Sequence, residues 1–447
     1  MNAAAGAVAE RHDFLLTEYD CFVRGRGASA PSWLRELRSR ALTRFAETGF
    51  PTTRDEEWRF TSIAPIAETR FPLAGEPADG ADPLGLVSGV AFDGVAARLV
   101  VVNGRFIAGL STVSSASHVN AGGLAAALAN DTTAVEHQLG KVAFDGRPFV
   151  ALNTAFLDDG ALVSIPAGTV VQDPIHIVIV TVPGAAPAVA HPRVVVVAGA
   201  NAQATIVETY IGAPGTPYLM NAVTEVVLGD RAVVEHYKDQ REPVTAYHMA
   251  TMEVRLGRSS TFTSQSFAFG GHIVRNDILA VLAGEGGECT LNGLYFSDGR
   301  RLVDTHTVID HAMPHCASHE LYKGIIAGKA RAIFNGKIVV RPDAQKTDAK
   351  QTNRALLLSD DAQINTKPQL EIFADDVKCT HGAAIGQLDD EAMFYLQTRG
   401  LTAAEARDVL IHAFAGEILN AIKVEPVRVQ METALFEQLA PDLEGRA

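Results

Sequence analysis

Val196-Val197-Ala198-Gly199, Val226-Val227-Leu228-Gly229, Val254-Arg255-Leu256-Gly257, Val281-Leu282-Ala283-Gly284, Ile325-Ile326-Ala327-Gly328 and Leu356-Leu357-Leu358-Ser359 are six versions of one phrase. In most copies a small residue returns three positions later, at Ala202, Ala232, Ser260, Gly287 and Ala362. Successive copies are 30, 28, 27, 44 and 31 residues apart, which reads as one repeat with an insertion of about half a unit. β-Branched and aliphatic side chains suit a pleated, half-buried surface, and glycine ends each run in a turn. Strand-turn units of near-constant length stack as coils around a shared core, so the phrase predicts a parallel β-helix. Spacing alone does not give the direction of pairing, and a β-sandwich with look-alike turns is the alternative.

Outward from the repeat the texture becomes helical at both ends. Over 31–45, Trp33, Leu34, Leu37, Ala41, Leu42 and Phe45 recur at helical spacing and Gly49 follows as a stop. Arg35, Arg38, Arg40 and Arg44 on the same stretch read as a solvated helix face. The Pro/Gly/Ala-rich passage 71–94, beyond Glu57-Trp58-Arg59-Phe60-Thr61, reads as a linker. After Gly386, Asp389-Asp390-Glu391 opens the apolar run Met393-Phe394-Tyr395-Leu396, which stops at Arg399-Gly400. A second helix starts with Thr402 and Glu405 spaced as a capping box. Its stripe of Ala406, Val409, Leu410, Ala413, Phe414, Ile418, Ala421 and Ile422 must pack on the end of the solenoid or on a partner. The expected units are 1–95, helical with a linker; 96–386, the β-helix; and 387–447, helical.

Composition narrows the function. At 447 residues with 47% hydrophobic and 20% charged side chains, the chain reads as globular. The longest apolar run, 177–190, is broken by Pro183 and Pro187, so no membrane helix is expected. The Ala-rich start meets Arg11, His12 and Asp13 at once, unlike a secretory signal. Cys21, Cys289, Cys316 and Cys379 are too few for a disulfide framework, which suits a cytoplasmic protein. A net charge of -14 argues against nucleic acid and anionic membranes as partners. No G-x-x-x-x-G-K-[ST] occurs, and Gly324-Ile325-Ile326-Ala327-Gly328-Lys329-Ala330 lacks the spacing and the hydroxyl, so any ATP acts through a partner.

The chemistry concentrates in Lys378-Cys379-Thr380-His381-Gly382-Ala383. Cys379 and His381 stand at i and i+2, so on a strand both point the same way. A thiolate beside an imidazole is half of an iron, zinc or iron-sulfur site, and the other ligands must come from elsewhere in the fold or from another protein. His311, His315, Cys316 and His319 also look metal-like, but Pro314 breaks the ladder between them. Cys289 and Cys316 are expected to fill the solenoid interior.

Further blocks carry a resemblance: Leu152-Asn153 through Asp159-Gly160 to Pro166 and Gly168, Gly270-Gly271 with Arg275-Asn276-Asp277, Gly293-Leu294-Tyr295, Val303-Asp304-Thr305-His306-Thr307, and Ser318-His319-Glu320-Leu321-Tyr322-Lys323-Gly324. Phe334-Asn335-Gly336-Lys337, Asp343-Ala344-Gln345-Lys346-Thr347-Asp348-Ala349 and Lys367-Pro368-Gln369-Leu370-Glu371-Ile372 continue it. With these the chain resembles the SufB/SufD family of Suf-system iron-sulfur cluster assembly proteins. It is closer to the SufD branch, because SufB usually carries a His-Glu-Ala-type sequence where this chain has Cys379-Thr380-His381-Gly382-Ala383. The resemblance implies a right-handed parallel β-helix between helical ends, with no catalysis of its own. It implies a scaffold that pairs with a SufB-like paralogue through the β-helix ends and docks the ATPase SufC on the C-terminal helices, through Thr402, Val409, Leu410, Ala413, Phe414 and Ile418. His381, with Cys379 beside it, becomes the candidate ligand for transient iron or a nascent iron-sulfur cluster at the SufB interface. No resident cofactor is expected in the isolated chain.

Two other readings stand beside it. A SufB-like paralogue could act as a homodimeric scaffold, and a homodimer is an expected state of this chain when alone. A β-helix enzyme acting on polysaccharide would recast Asp304, Asp310 and Arg301 as a calcium and base site. Against the enzyme, Trp33 and Trp58 are the only tryptophans and both lie outside the repeat, leaving no sugar-stacking platform.

Overall fold

The computed structural model describes residues 14–77, 80–130, 139–140 and 147–439; the Ala-rich start with Arg11, His12 and Asp13 lies outside the described residues. Two sheets, of eleven and ten strands, face each other across a common interior. From Gly160–Ile165 onward the strands alternate between the sheets, except that the short Ala188–Ala190 joins the same sheet as Arg193–Ala198, and they pair in parallel from coil to coil, as Tyr218–Leu228 does with Ala246–Leu256. The result is a β-solenoid of about eight turns with helices at both ends of the chain. The parallel register removes the sandwich alternative.

The corners explain the repeat. Asn201, Arg231, Ser259, Gly286, His315 and Lys346 each hold a positive φ, at intervals of 30, 28, 27, 29 and 31 residues. Each corner is tied to the next coil through its backbone: Asn201 N–H donates to Asp230 O, Arg231 N–H to Arg258 O and Ser259 N–H to Glu285 O. There is no half-unit insertion. The 44-residue interval arises because Gly328 and Ser359 follow strands Ala317–Ile326 and Asp348–Leu357, which belong to the other sheet, half a coil away. Two corners thus carry the same phrase with different backbones: the left-handed residue lies two positions after the glycine at one, and is Gly328 itself at the other. The residue after each left-handed position is small and buried, at Ala202, Ala232 and Ser260, because it turns into the coil below.

Along the strands, alternate side chains fill the interior, with Ile206, Val234, Phe262, Cys289 and Leu291 in one continuous core. The outer faces are apolar as well and are covered differently. Trp58, Ile63, Ile66 and Phe71 lie on Leu219, Met249, Ile273, Leu302 and Ile333 of the ten-stranded sheet. Passage 71–94 is therefore no loose linker: Ala74 N–H bonds Val189 O, and Phe71, Ala74, Val87 and Val90 are buried. The helix Ser32–Thr48 forms as its spacing predicts, except that Arg38 is buried beneath it, where Nε donates to Leu157 O at 2.7 Å.

At the other end of the chain, helices Ala403–Leu419 and Glu425–Leu439 lie along the flank of the eleven-stranded sheet, on Tyr237, Phe267, Leu294, Phe296, Ile325 and Leu356. They do not cap the solenoid. The helices bury their apolar stripe against these outward aromatic and aliphatic side chains, and that burial holds them to the flank.

A candidate ligand site at the open mouth

The last strand, Lys378–Gly386, pairs in parallel with Asp348–Leu357, placing Cys379 against Ala349, His381 against Gln351, Ala383 against Asn353 and Ile385 against Ala355. Ala349, Gln351, Asn353 and Ala355 are buried and inward, so the pleat aims their partners into the lumen as well. Across the lumen, Gln363–Ile372 sets Thr366, Pro368 and Leu370 over Phe334, Gly336 and Ile338. Among the described residues no further coil covers them. The solenoid therefore ends in a mouth lined by an imidazole, a thiol and aliphatic side chains, where Ile372, Phe373 and Ile385 are 40%, 63% and 50% exposed.

The expected pair is thus brought together on one face. Cys379 is half-buried beside Ile338, Val340 and Ala349, and burial, then the nearby Asp348 carboxylate, raises its thiol above the ordinary value. A thiol held protonated is the poorer ligand. His381 is exposed. Among the described residues no three His, Cys, Asp or Glu side chains are placed to hold a metal.

The other sequence candidates do not assemble. His311 points inward, bonded to Ser318 Oγ at 2.8 Å, and burial lowers its pKa to about 4. His315 is a left-handed corner residue, and His319 faces solvent on the next strand. Cys316 takes the buried corner place that Ala202 and Ala232 take elsewhere, and Cys289 lies in the core, so both fill the interior as expected. Asp304, Asp310 and Arg301 do not converge: Asp310 is bound by Arg341 at 2.6 Å, and Arg301 donates to Phe269 O and Gln438.

Asp304 belongs to a buried ion cluster that the sequence reading passed over. Burial would raise its carboxyl, but Arg275 at 2.8 Å and His306 at 2.9 Å hold it well below the usual range. Burial would lower His306, yet Asp304 outweighs this and its pKa rises to about 9. Glu57 closes the cluster on His306 at 3.0 Å, Thr61 Oγ1 donates to Asp304, and Trp58 covers Arg275 at 4.0 Å. Residues 56–61 thereby strap four coils together, ending with the Lys367–Glu56 pair at 2.6 Å on the last coil. Every charge in the cluster has a partner, which is the signature of a structural clasp.

On the C-terminal helices, Thr402 and Glu405 form the capping box. Val409 is 45% exposed, Ala413 is exposed, and Leu410 and Phe414 are half-buried, but Ile418 packs against the solenoid at 1% exposure and is not part of an outward face. On the preceding helix, Asp390–Thr398, Phe394 and Tyr395 are both well exposed and were not among the expected contacts.

Comparison with known proteins accords with this architecture. Residues 180–414 match the family model described as "SUF system FeS cluster assembly, SufBD core domain", and residues 27–177 match the SufBD protein N-terminal region. The chain is similar to an iron-sulfur cluster assembly SufBD family protein of Synechocystis, at 37% identity over 83% of this chain and 84% of that protein. It is similar to the iron-sulfur cluster assembly protein SufD of Escherichia coli at 31% identity, over 89% and 91% of the two chains. The Bacillus subtilis SufD is similar at 25% identity, over 91% and 94%. With both family regions matched over consecutive parts of its length, the chain belongs to the SufBD family of iron-sulfur cluster assembly proteins and is a homologue of SufD.

Proposed function

We propose that this chain is the non-catalytic, cytoplasmic SufD-type scaffold of an assembly with a SufB-like paralogue and the ATPase SufC, with iron or a nascent cluster held transiently at the mouth as cargo. The observation that carries this reading is the open end itself. Strands of ten and nine residues present unpaired backbone edges there, around exposed Ile372, Phe373 and Ile385. Unpaired edges and a truncated core call for another solenoid end, which continues the ladders and covers the lumen. The same end presents His381 and Cys379 inward, so a covering partner with its own thiolates would complete a set of soft and borderline ligands. His381 is the principal ligand from this chain, and Cys379 joins it once ionised.

Phe394, Tyr395, Val409 and Ala413 on the C-terminal helices are exposed, and their apolar side chains support SufC docking there. Co-expression of the tagged chain with the SufB-like and SufC-like proteins of its source, followed by native mass measurement, tests the reading. All three in one complex is the expected result; a chain that stays alone or forms only homodimers overturns it. Within the complex, His381→Ala should leave composition unchanged and lower bound iron and sulfide, whereas equal cluster content would remove the ligand assignment.

A further inference from the structure

We infer that Gln351 is the positioning residue for His381, accepting a hydrogen bond from one ring nitrogen so that the other is presented to iron; this rests on the role proposed above for His381. The ladder places them together. Gln351 is the register partner of His381, and Glu320 is the register partner of Gln351, so the three stand in one inward column. Gln351 and Glu320 are both buried. Gln351 Nε2 donates to Glu320 Oε2 at 2.6 Å. An amide carries nitrogen and oxygen on different sides of its carbon, so anchoring Nε2 on Glu320 turns Oε1 away from that carboxylate, and among the described residues Oε1 has no partner. The facing strand leaves room for this: a Cβ at Gly336 would lie 2.2 Å from Gln351 Nε2.

A buried acceptor without a donor is costly, on the order of 1–3 kcal/mol, and calls for one. His381 is exposed while the mouth is open, so water serves its ring. Covering the mouth removes that water, and the ring N–H must then find a protein acceptor. Gln351 Oε1 is one rung below in the same column. Asn353 Oδ1 is also unpartnered, but it stands in the next column beneath Ala383, whose side chain offers no donor. An imidazole donating through one nitrogen is locked in the tautomer whose other nitrogen bears the lone pair, which is the metal-binding form.

The test uses the complex with its SufB-like and SufC-like partners and an anaerobic ferrous ion titration. Gln351→Met keeps the bulk and removes both polar ends; iron binding should weaken by about tenfold or more with subunit composition unchanged. Exchanging the pair, Glu320→Gln with Gln351→Glu, keeps their mutual hydrogen bond and restores an acceptor beneath His381, so affinity should return. Wild-type affinity in Gln351→Met, or an exchanged pair as weak as Gln351→Met, overturns the inference. Should Gln351→Met fail to assemble, Gln351→Asn, which withdraws the carbonyl by one methylene, carries the same expectation. His381→Ala is titrated alongside: unchanged affinity there removes the underlying reading, a result distinct from failure at Gln351.

Discussion

The solenoid has two ends, and they are built on opposite principles. At the N-terminal end the ladders stop by folding back: Arg105–Phe106 and Thr112–Val113 pair antiparallel to Ala97–Val102, and Asn120–Gly123 pairs antiparallel to Gly160–Ile165. These edge strands are short, as protected edges are. Phe106 lies over Gly123, where a Cβ would meet its ring at 2.7 Å, and Asp159 accepts from Phe106 N–H and Ala125 N–H at 2.9 Å each. At the C-terminal end the ladders simply run out, with Gln363–Ile372 and Lys378–Gly386 at full length and half exposed. The same coil geometry thus yields a sealed end that belongs to the chain's own stability and an open end that the proposed function gives to assembly.

Substitution at the sealed end should therefore break the chain itself. Leu99 is fully buried in the first parallel strand, and Leu99→Ala leaves a cavity costing about 3 kcal/mol, read as a lower denaturant midpoint. A midpoint unchanged by Leu99→Ala would mean that the plug contributes little and that the two ends differ only in appearance.

The pH response sharpens the contrast next. Burial raises the Glu320 carboxyl from 4.5 to about 7, against hydrogen bonds from Thr307 and Gln351 that pull it down. Cys289 and Tyr322, the other ionisable groups acting near it, are themselves raised by burial and stay neutral. The folded state then holds this proton more tightly than the unfolded chain does. Stability from the group is complete below pH 4.5 and falls by roughly 3 kcal/mol as pH rises through 7. Glu320→Gln should flatten the midpoint over that window. At the sealed end Asp159 is also raised by burial, but backbone N–H groups of Ala125, Gly160 and Phe106 oppose the rise. A wild-type midpoint flat between pH 4.5 and 7 would show that Glu320 is not desolvated and that water reaches beneath the mouth.

These features differ in how far they could be read before the fold was known. The coil was legible because each corner demands a small residue and a left-handed position, and that demand recurs at nearly fixed spacing. The 44-residue gap misled because Gly328 and Ser359 end strands of the other sheet and so mark the opposite corner, where the phrase recurs although Gly328, and not Ser359, holds a positive φ. Cys379 and His381 could be placed on one face from the period of a strand alone. That their end stays open could not, because the helix stripe at 406–422 does not say which surface it covers. Gln351 and Glu320 were invisible for another reason: their meaning depends on register across separations of about one coil, which no local pattern carries. The Glu57–His306 contact joins residues 249 positions apart and is a product of tertiary packing.

The smallest effect on the chain is expected at the mouth, and it separates the two ends most sharply. Ile385 points into the lumen opposite Ala355 but is half exposed, because no coil lies above it. Ile385→Asp removes little buried area and places a charge where water already reaches, so stability of the isolated chain should change by no more than about 0.5 kcal/mol. In the proposed assembly the same side chain would lie within the covered end, and a carboxylate there would be desolvated. Association with the SufB-like partner, measured by co-purification and native mass, should then be lost while the melting curve of the free chain stays in place. A variant that melts early and still assembles would reverse the assignment, making the mouth part of the chain's own core and leaving the flank helices as its contact with partners.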